Sequence, residues 1–81
     1  MPKFNGHKNW NHWNVSLWLN GDAGLYGLAR WNVENCRTLD EAATAIYEDL
    51  WGLAPLGEKP RTPDGAPYTF TSIRAAIAGI R

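Results

Sequence analysis

The pattern of apolar and polar positions along the chain predicts helices. In residues 23–35 and 39–53, apolar side chains recur every three or four positions, which places them along one side of an α-helix. Residues 9–20 are apolar on two sides, and a shorter stretch over 72–80 again has one apolar edge. We therefore expect an all-α fold: a compact bundle of three to four short helices that makes residues 1–81 a single helical domain.

Two segments do not follow this pattern. Residues 1–8 form a polar lead-in to the first helix. Residues 54–67 contain four prolines and two glycines, and the run T-P-D-G at 62–65 is typical of a turn. We expect 54–67 to form a long Pro-rich loop across the surface, which either packs as an ordered segment or carries function.

Capping residues set the expected ends of the first two helices. Asn9 or Asn11 can cap the first helix, and Gly21 can end it in a left-handed conformation. Asp22 follows directly and can cap the second helix. The connection between these helices is therefore very short, and we expect the two helices to fold sharply against each other.

The last two helices have similar signals. Thr38 and Glu41 have the spacing of a capping box, and Thr69 or Thr71 can cap the final helix. Residues 68–70 could instead form a brief extended piece. The predicted buried stripe of the third helix is Leu39, Ala42, Ala43, Ile46, Leu50 and Leu53. The predicted buried edge of the final helix is Phe70, Ile73, Ile77 and Ile80.

The first part of the chain is rich in tryptophan and asparagine. Four of the five tryptophans and all seven asparagines lie in the first 35 residues. Burial of large rings stabilises a small core, whereas a buried amide needs hydrogen-bond partners. We interpret Trp10, Trp13 and Trp18 as structural, with Asn14 tying helix ends together through its amide. The alternative is that these rings are exposed and stack on single-stranded bases.

Composition narrows the classes of protein. Eight basic and eight acidic residues cancel, which argues against attachment to nucleic acid or anionic lipid by bulk charge. Cys36 is the only cysteine, which fits a reducing compartment. No apolar run is long enough to span a bilayer, and the N-terminus lacks the apolar core of a signal peptide. We expect a cytoplasmic protein.

No motif in the chain predicts catalysis. There is no Gly-rich phosphate loop, no nucleophile motif and no carboxylate pair in an expected cleft. His7, His12 and Asp22 are the only conceivable metal cluster, and their spacing matches no ligand motif. We expect a non-enzymatic protein that uses no cofactor and no metal.

Acidic residues concentrate in the middle of the chain. From Thr38 to Glu58 there are five acids and no base. Trp31 and Trp51 are predicted on the outer sides of their helices, and exposed tryptophan is enriched in interface hot spots. We therefore expect a partner-binding surface made by Asp40, Tyr47, Glu48, Asp49, Trp51 and Trp31.

Several motifs carry a resemblance to a known group of proteins. These are N-G-x-x-N at 5–9, W-N-V-x-L-W-L-x-x-D-x-G-L-Y at 13–26, the T-P-D-G turn, and T-x-x-R-x-A-I at 71–77. Together they cover most of the chain. It resembles a family of short proteins carried by bacterial and archaeal viruses, plasmids and prophages. It departs from that pattern at His7, where an aromatic is usual, and at 11–12, where Glu-Thr is common.

The resemblance implies a genomic setting and brings no catalytic residue with it. By analogy with other small proteins of mobile elements, we expect an inhibitor of a host defence complex, of the anti-CRISPR or anti-restriction type. Its acidic third helix would face a basic groove that normally holds nucleic acid. We do not expect direct nucleic-acid binding as the main activity.

Two alternatives remain at the level of the sequence. One is a small nucleic-acid-binding or regulatory module that uses the Trp-rich N-terminus with Lys3 and Lys8. The other is a structural accessory protein, monomeric or a small homo-oligomer, that associates through the face holding Gly24, Gly27 and Trp31. Two glycines on one helical face are costly, and close approach of another helix or of a partner would explain them.

Overall fold

Four helices form the framework of the protein, in a computed structural model that describes residues 9–80. They are α1 (Trp10–Gly21), α2 (Ala23–Asn35), α3 (Leu39–Leu53) and α4 (Phe70–Ile77). The radius of gyration is 11.9 Å, which is that of a compact domain of this length. The predicted all-α fold is confirmed.

The helix α4 lies at the centre of the packing. It contacts α1, α2 and α3, while α2 also packs on α1 and α3. The core that these contacts bury contains Val15, Leu19, Ala29, Val33, Ala42, Ala43, Ile46, Leu50, Ala66, Tyr68, Ile73, Ala76 and Ile77. Apart from Tyr68 it consists of small and aliphatic side chains, and no tryptophan belongs to it.

A single residue, Asp22, separates α1 from α2. Its backbone N–H donates to the carbonyl of Trp18 at 3.0 Å, which ends α1. Its carboxylate accepts from the backbone N–H of Leu25 at 3.0 Å, which caps α2 as predicted. The prediction of a left-handed stop at Gly21 is wrong, because Gly21 is the last helical residue and the extended backbone of Asp22 makes the turn.

The two glycines of α2 do not mark a helix crossing. A Cβ at Gly27 would meet nothing within 4 Å, and one at Gly24 would meet only the Asp22 carboxylate at 3.4 Å. The helix packs instead through the opposite side, where Ala29 and Val33 are buried. Within the fold, the predicted close approach of another helix is therefore wrong.

Caps define the starts of the other helices. Asn9 caps α1 by accepting from the His12 N–H at 3.0 Å, and Thr38 caps α3 by accepting from the Glu41 N–H at 3.1 Å. Within the described residues, a capping box with a hydrogen bond in each direction is found at Thr69, at the start of α4. The Thr69 hydroxyl accepts from the backbone N–H of Ser72. In return, the hydroxyl of Ser72 accepts from the Thr69 N–H at 2.9 Å.

Two boundary predictions need correction. Leu53 is predicted in the buried stripe of α3, but it is the last residue of the helix and is 74% exposed, because the stripe is covered only as far as Leu50. The helix α4 begins at Phe70 and ends at Ile77, so the extended alternative for 68–70 is wrong at Phe70. Phe70 is exposed at the first turn of α4 and does not join the buried edge.

The connection from α3 to α4 forms a small hairpin. The Thr62 N–H donates to the Ala66 carbonyl at 2.8 Å, and the Tyr68 N–H donates to the Pro60 carbonyl at 3.0 Å. At its tip the Gly65 N–H donates to the Thr62 carbonyl at 2.8 Å, with Gly65 at a φ of 95°. The predicted turn is confirmed, and because Pro60, Thr62, Ala66 and Tyr68 are buried, this connection packs into the domain and does more than cross its surface.

Candidate partner-binding surface

Four of the predicted partner-binding residues share one side of α3. Three of them, Tyr47, Glu48 and Trp51, follow Asp40 by seven, eight and eleven positions. This spacing places all four on neighbouring rows of the helix. All lie opposite or beside the buried stripe. We call this side the α3 outer face and define it as Asp40, Glu41, Thr44, Tyr47, Glu48 and Trp51.

An aromatic pair forms one edge of the α3 outer face. The rings of Tyr47 and Trp51 meet edge to face, with centroids 6.2 Å apart and planes at 76°. Tyr47 is half-buried against the core, so it fixes the position of the Trp51 ring, which is 41% exposed. Glu48 is exposed and lies three residues before Trp51, which makes these two side chains neighbours on the helix surface. A rigid apolar ring therefore lies next to a carboxylate.

The negative charge of this face is largely unpaired within residues 9–80. The two ion pairs there join Arg30 to Glu34 on α2, and Asp40 on α3 to Arg74 on α4. Neither involves Glu48. No Lys or Arg occurs in α3 itself. Asp40 thus has a structural contact between helices, whereas Glu48 has an exposed carboxylate that no ion pair in this range neutralises.

The N-terminal half of the face adjoins an open depression. Asp40, Glu41, Thr44 and Glu48 line it together with Cys36 and Phe70. The apolar edge of α4 predicts a buried Phe70, so its contribution to this surface could not be found from its position along the chain. Its presence places a second exposed aromatic ring beside the acidic side chains.

The remaining two predicted residues lie elsewhere. Asp49 is one position after Glu48, which turns it about 100° around the helix and away from the α3 outer face. Trp31 belongs to α2, where it is 62% exposed on the side opposite the buried Ala29 and Val33. The six residues therefore do not form one surface, and the α3 outer face unites four of them.

The Trp- and Asn-rich helix is tied to the hairpin turn by a hydrogen-bond network. The Asn14 amide donates through Nδ2 to Asp64 Oδ2 at 2.9 Å and accepts through Oδ1 from the Thr62 hydroxyl at 2.6 Å. The indole N–H of Trp18 donates to the same Asp64 oxygen at 3.0 Å. The Thr62 hydroxyl oxygen in turn accepts from the Ala66 N–H at 3.0 Å. We call these residues the α1–turn network.

This network corrects the expected role of Asn14. Its amide is predicted to tie helix ends together, but it joins the middle of α1 to the turn. Sequence reasoning missed Thr62 and Asp64 as its partners. The available signal was the resemblance itself: Asn14 belongs to the motif at 13–26, and both of its partners belong to the motif at 62–65. The structure brings these two motifs into contact.

Trp10, Trp13 and Trp18 differ in their burial. Trp10 is exposed at the start of α1, whereas Trp13 and Trp18 are half-buried. The hydrogen bonds from Asn14 and Trp18 hold the pKa of the Asp64 carboxyl below its usual value of 3.8, so this group is ionised at neutral pH. A fixed negative charge therefore lies at the edge of Trp18, which disfavours the approach of a nucleic-acid phosphate to that ring.

Two further observations concern metal ions and membranes. Within residues 9–80 no three His, Cys, Asp or Glu side chains come together in a way that could hold a metal ion, and His7 lies outside that range. None of the helices described between residues 9 and 80 combines the length and the hydropathy that a membrane span requires.

Comparison with known proteins places the chain in a family without assigning an activity. The chain belongs to DUF7249, a family of unknown function, which it matches over residues 1–80. No curated protein and no solved structure matches it significantly.

Proposed function

We propose that this protein is a non-enzymatic accessory protein of a virus or another mobile element, which binds a host defence complex and inhibits it. The α3 outer face carries this proposal. It combines the carboxylate of Glu48, which has no ion pair within residues 9–80, with the exposed ring of Trp51 on a helix that has no basic residue. The genomic setting is supported by the resemblance of the W-N-V-x-L-W and T-P-D-G motifs to proteins of mobile elements.

The chemistry of this face favours a basic protein surface as the partner. Carboxylates at Glu41 and Glu48 attract a surface that normally holds nucleic acid, and complementary charge increases the rate of encounter and selects the partner. The Trp51 ring supplies apolar area that is held in position by Tyr47, and such rings are typical anchors of interfaces. A defence nuclease whose nucleic-acid groove is occupied in this way cannot engage its target.

Charge reversal on the α3 outer face tests the proposal. The experiment measures the plating efficiency of a phage on host cells that carry a CRISPR or restriction system, with and without this protein. The unchanged protein should restore plating. The double variant Glu41→Lys with Glu48→Lys should restore it at least about tenfold less efficiently, since interfacial charge reversals cost several kcal/mol. Both residues are exposed, so the variant should fold.

Asp49→Lys is the matched control. It places one lysine on the same helix, where the double variant places two, and turns it about 100° from Glu48. It should inhibit the defence system as well as the unchanged protein does. Equal loss in the control and in the double variant would indicate a general charge effect and contradict docking through the α3 outer face. Failure to relieve any defence system of either type would contradict the inhibitor function itself.

A further inference from the structure

The first arm of the hairpin between α3 and α4 turns one pair of backbone groups away from the second arm. The arms are residues 60–62 and 66–68, and Arg61 lies opposite Pro67. The hydrogen bonds between the arms are made by the residues on either side of this pair. In an antiparallel ladder, the N–H and the carbonyl of Arg61 therefore point outward. Within residues 9–80, no backbone hydrogen bond to either group is found.

The two outer edges of the hairpin differ in what they can accept. On the second arm Pro67 has no N–H, so its edge offers a carbonyl alone. On the first arm Arg61 offers a donor and an acceptor side by side, and Arg61 is exposed. One residue of an extended chain can pair with both groups, and a strand edge with unpaired groups is a template for an added strand. The first arm is therefore the edge to which a strand can add.

An apolar groove borders the same edge. Leu25, Leu50 and Tyr68 line it on the inner side, whereas Leu53 and Arg61 line it nearer to the surface. Its volume is about 250 Å³, below the roughly 300–1,000 Å³ of small-molecule sites, so it has room for one or two side chains. Leu53 is 74% exposed, and covering this apolar surface is favourable.

The alternation of side chains along a strand determines which of them reach the groove. A residue paired with Arg61 places its side chain on the Arg61 side of the hairpin, and the residues before and after it point to the opposite face. On that face Pro60 and Thr62 are buried, and Pro60 lines the groove. The side chains that enter the groove are therefore those that flank the paired residue, and the lining favours apolar ones.

The charges around the groove balance and do not select the occupant. Lys59 and Glu58 line a neighbouring depression together with Arg61. On the inner side, burial raises the pKa of Tyr68, and the Asp22 carboxylate raises it further. Two bases and two acids thus lie around this region. Recognition has to come from the backbone of Arg61 and from the apolar lining.

A second copy of this chain is a poor occupant. In a symmetric pair of first arms, the two Arg61 side chains would lie directly opposite each other, and like charges in that position are destabilising. The flanking Pro60 and Thr62 are buried in their own domain, so they could not enter the groove of the other copy. The occupant therefore belongs to a different protein.

We propose that residues 60–62 bind an extended segment of a partner protein as an added antiparallel strand. One residue of that segment exchanges two backbone hydrogen bonds with Arg61, and an apolar side chain next to it enters the groove. This surface shares no residue with the α3 outer face, so the proposal does not depend on the proposed function.

A synthetic peptide with these features tests the proposal. The probe has about seven residues, acetylated at its start and amidated at its end, with a central threonine between two leucines. The full ¹⁵N-labelled chain is titrated with it, and amide shifts and amide hydrogen exchange are measured. The shifts should cluster at Leu53, Arg61 and Tyr68. At saturation the Arg61 amide should exchange at least about fivefold more slowly, because its N–H gains a backbone partner.

The matched control peptide carries an N-methyl group on the central threonine. This change keeps both leucines and removes the N–H that donates to the Arg61 carbonyl. It should weaken binding roughly fivefold or more, as expected for the loss of one hydrogen bond.

Variants of the chain test the same contact from the other side. Arg61→Pro removes the outward N–H and none of the bonds between the arms, so it should weaken binding at least about fivefold. Arg61→Gln keeps the N–H and much of the side-chain stem, and it should bind within about twofold of the unchanged chain. Slow exchange of the Thr62 and Tyr68 amides shows that the hairpin is intact in both variants. If the hairpin opens in Arg61→Pro, the N-methyl peptide decides, because it is compared on the unchanged chain.

Three results would overturn the proposal. One is an N-methyl peptide that binds as tightly as the unmodified one, or the absence of binding by both. Another is a set of shifts at the groove without slower exchange of the Arg61 amide, because this would indicate docking through side chains, as a helix does. The third is slower exchange at Arg61 that depends on protein concentration without peptide, because this would assign the edge to a second copy of the chain.

Discussion

Two tryptophans of this protein lie beside a carboxylate, and the two pairs differ in what the carboxylate does. Beside Trp18, the Asp64 carboxylate accepts bonds from the indole and from the Asn14 amide. Beside Trp51, the Glu48 carboxylate has no ion-pair partner within residues 9–80, and the ring contacts Tyr47. A tryptophan and a carboxylate thus form a fixed hydrogen-bonded contact in one region and an open surface in the other.

The difference follows from where the partners come from along the chain. The α1–turn network links residues 46 to 50 positions apart. It can therefore fix the position of the hairpin on α1 only after the domain has folded. The residues of the α3 outer face are neighbours on one helix and need no distant partner to take their places. We therefore expect stability to depend on the α1–turn network and binding to depend on the α3 outer face.

The largest effect on stability is expected from Asn14→Ala. Asn14 is 1% exposed, and its amide bonds both the Thr62 hydroxyl and the Asp64 carboxylate. Its removal leaves a buried hydroxyl without its acceptor and opens a cavity, which should lower the free energy of unfolding by about 2–4 kcal/mol. Urea denaturation followed by circular dichroism measures the change.

Asn35→Ala is the control for this change. Asn35 is exposed, and within residues 9–80 its amide bonds the Trp31 carbonyl one turn earlier. The control should change the free energy of unfolding by no more than about 0.5 kcal/mol. Equal effects of the two changes would show that the α1–turn network does not distinguish the two regions.

A smaller effect should appear in how steeply the melting temperature falls at acid pH. The pKa of Asp64 is lowered in the folded chain by its bonds from Asn14 and Trp18. The stabilisation is therefore complete above the usual value of 3.8 and is lost as the pH falls through the lower pKa of the folded state. Asp64→Asn should flatten the decrease of the melting temperature below about pH 4.

The matched control in this case is Asp49→Asn. Asp49 is an exposed carboxylate that takes part in neither ion pair within residues 9–80. Its removal should leave the fall of the melting temperature at acid pH as steep as in the unchanged protein. An equally steep fall of the melting temperature in Asp64→Asn would contradict the stabilising role of the Asp64 carboxylate in the α1–turn network.

Local signals in the sequence predicted much of the fold. The caps at Asn9, Asp22 and Thr38 each act on a backbone N–H three residues away, so short spacing is enough to identify them. The stripe of α3 follows helical period as far as Leu50. Prediction failed at Leu53 because periodicity describes a helix and not the length over which its neighbours cover it.

The candidate surfaces were predictable to a smaller degree. Glu48 and Trp51 could be placed on one face from their spacing, but Trp31 and Asp49 could not be excluded from it without knowing how the helices pack. The joint between Asn14 and Asp64 spans 50 positions, and no local rule relates them. The groove that Leu25, Leu50 and Tyr68 line was missed altogether, because it forms from α2, α3 and the hairpin together.

The finest test exchanges the two tryptophans for phenylalanine one at a time. Phenylalanine keeps an aromatic ring but has no N–H. Trp18→Phe removes the donor to Asp64, so it should lower the melting temperature measurably, though by less than Asn14→Ala does, because the Asn14 bond to the same carboxylate remains. Trp51→Phe keeps an edge-to-face contact with Tyr47 and should leave the melting temperature nearly unchanged, while it weakens inhibition of the defence complex. Differential scanning calorimetry of the two variants, read beside their plating efficiencies, separates the two regions. If Trp51→Phe were the less stable variant and Trp18→Phe the poorer inhibitor, the assignments of joint and surface would be reversed.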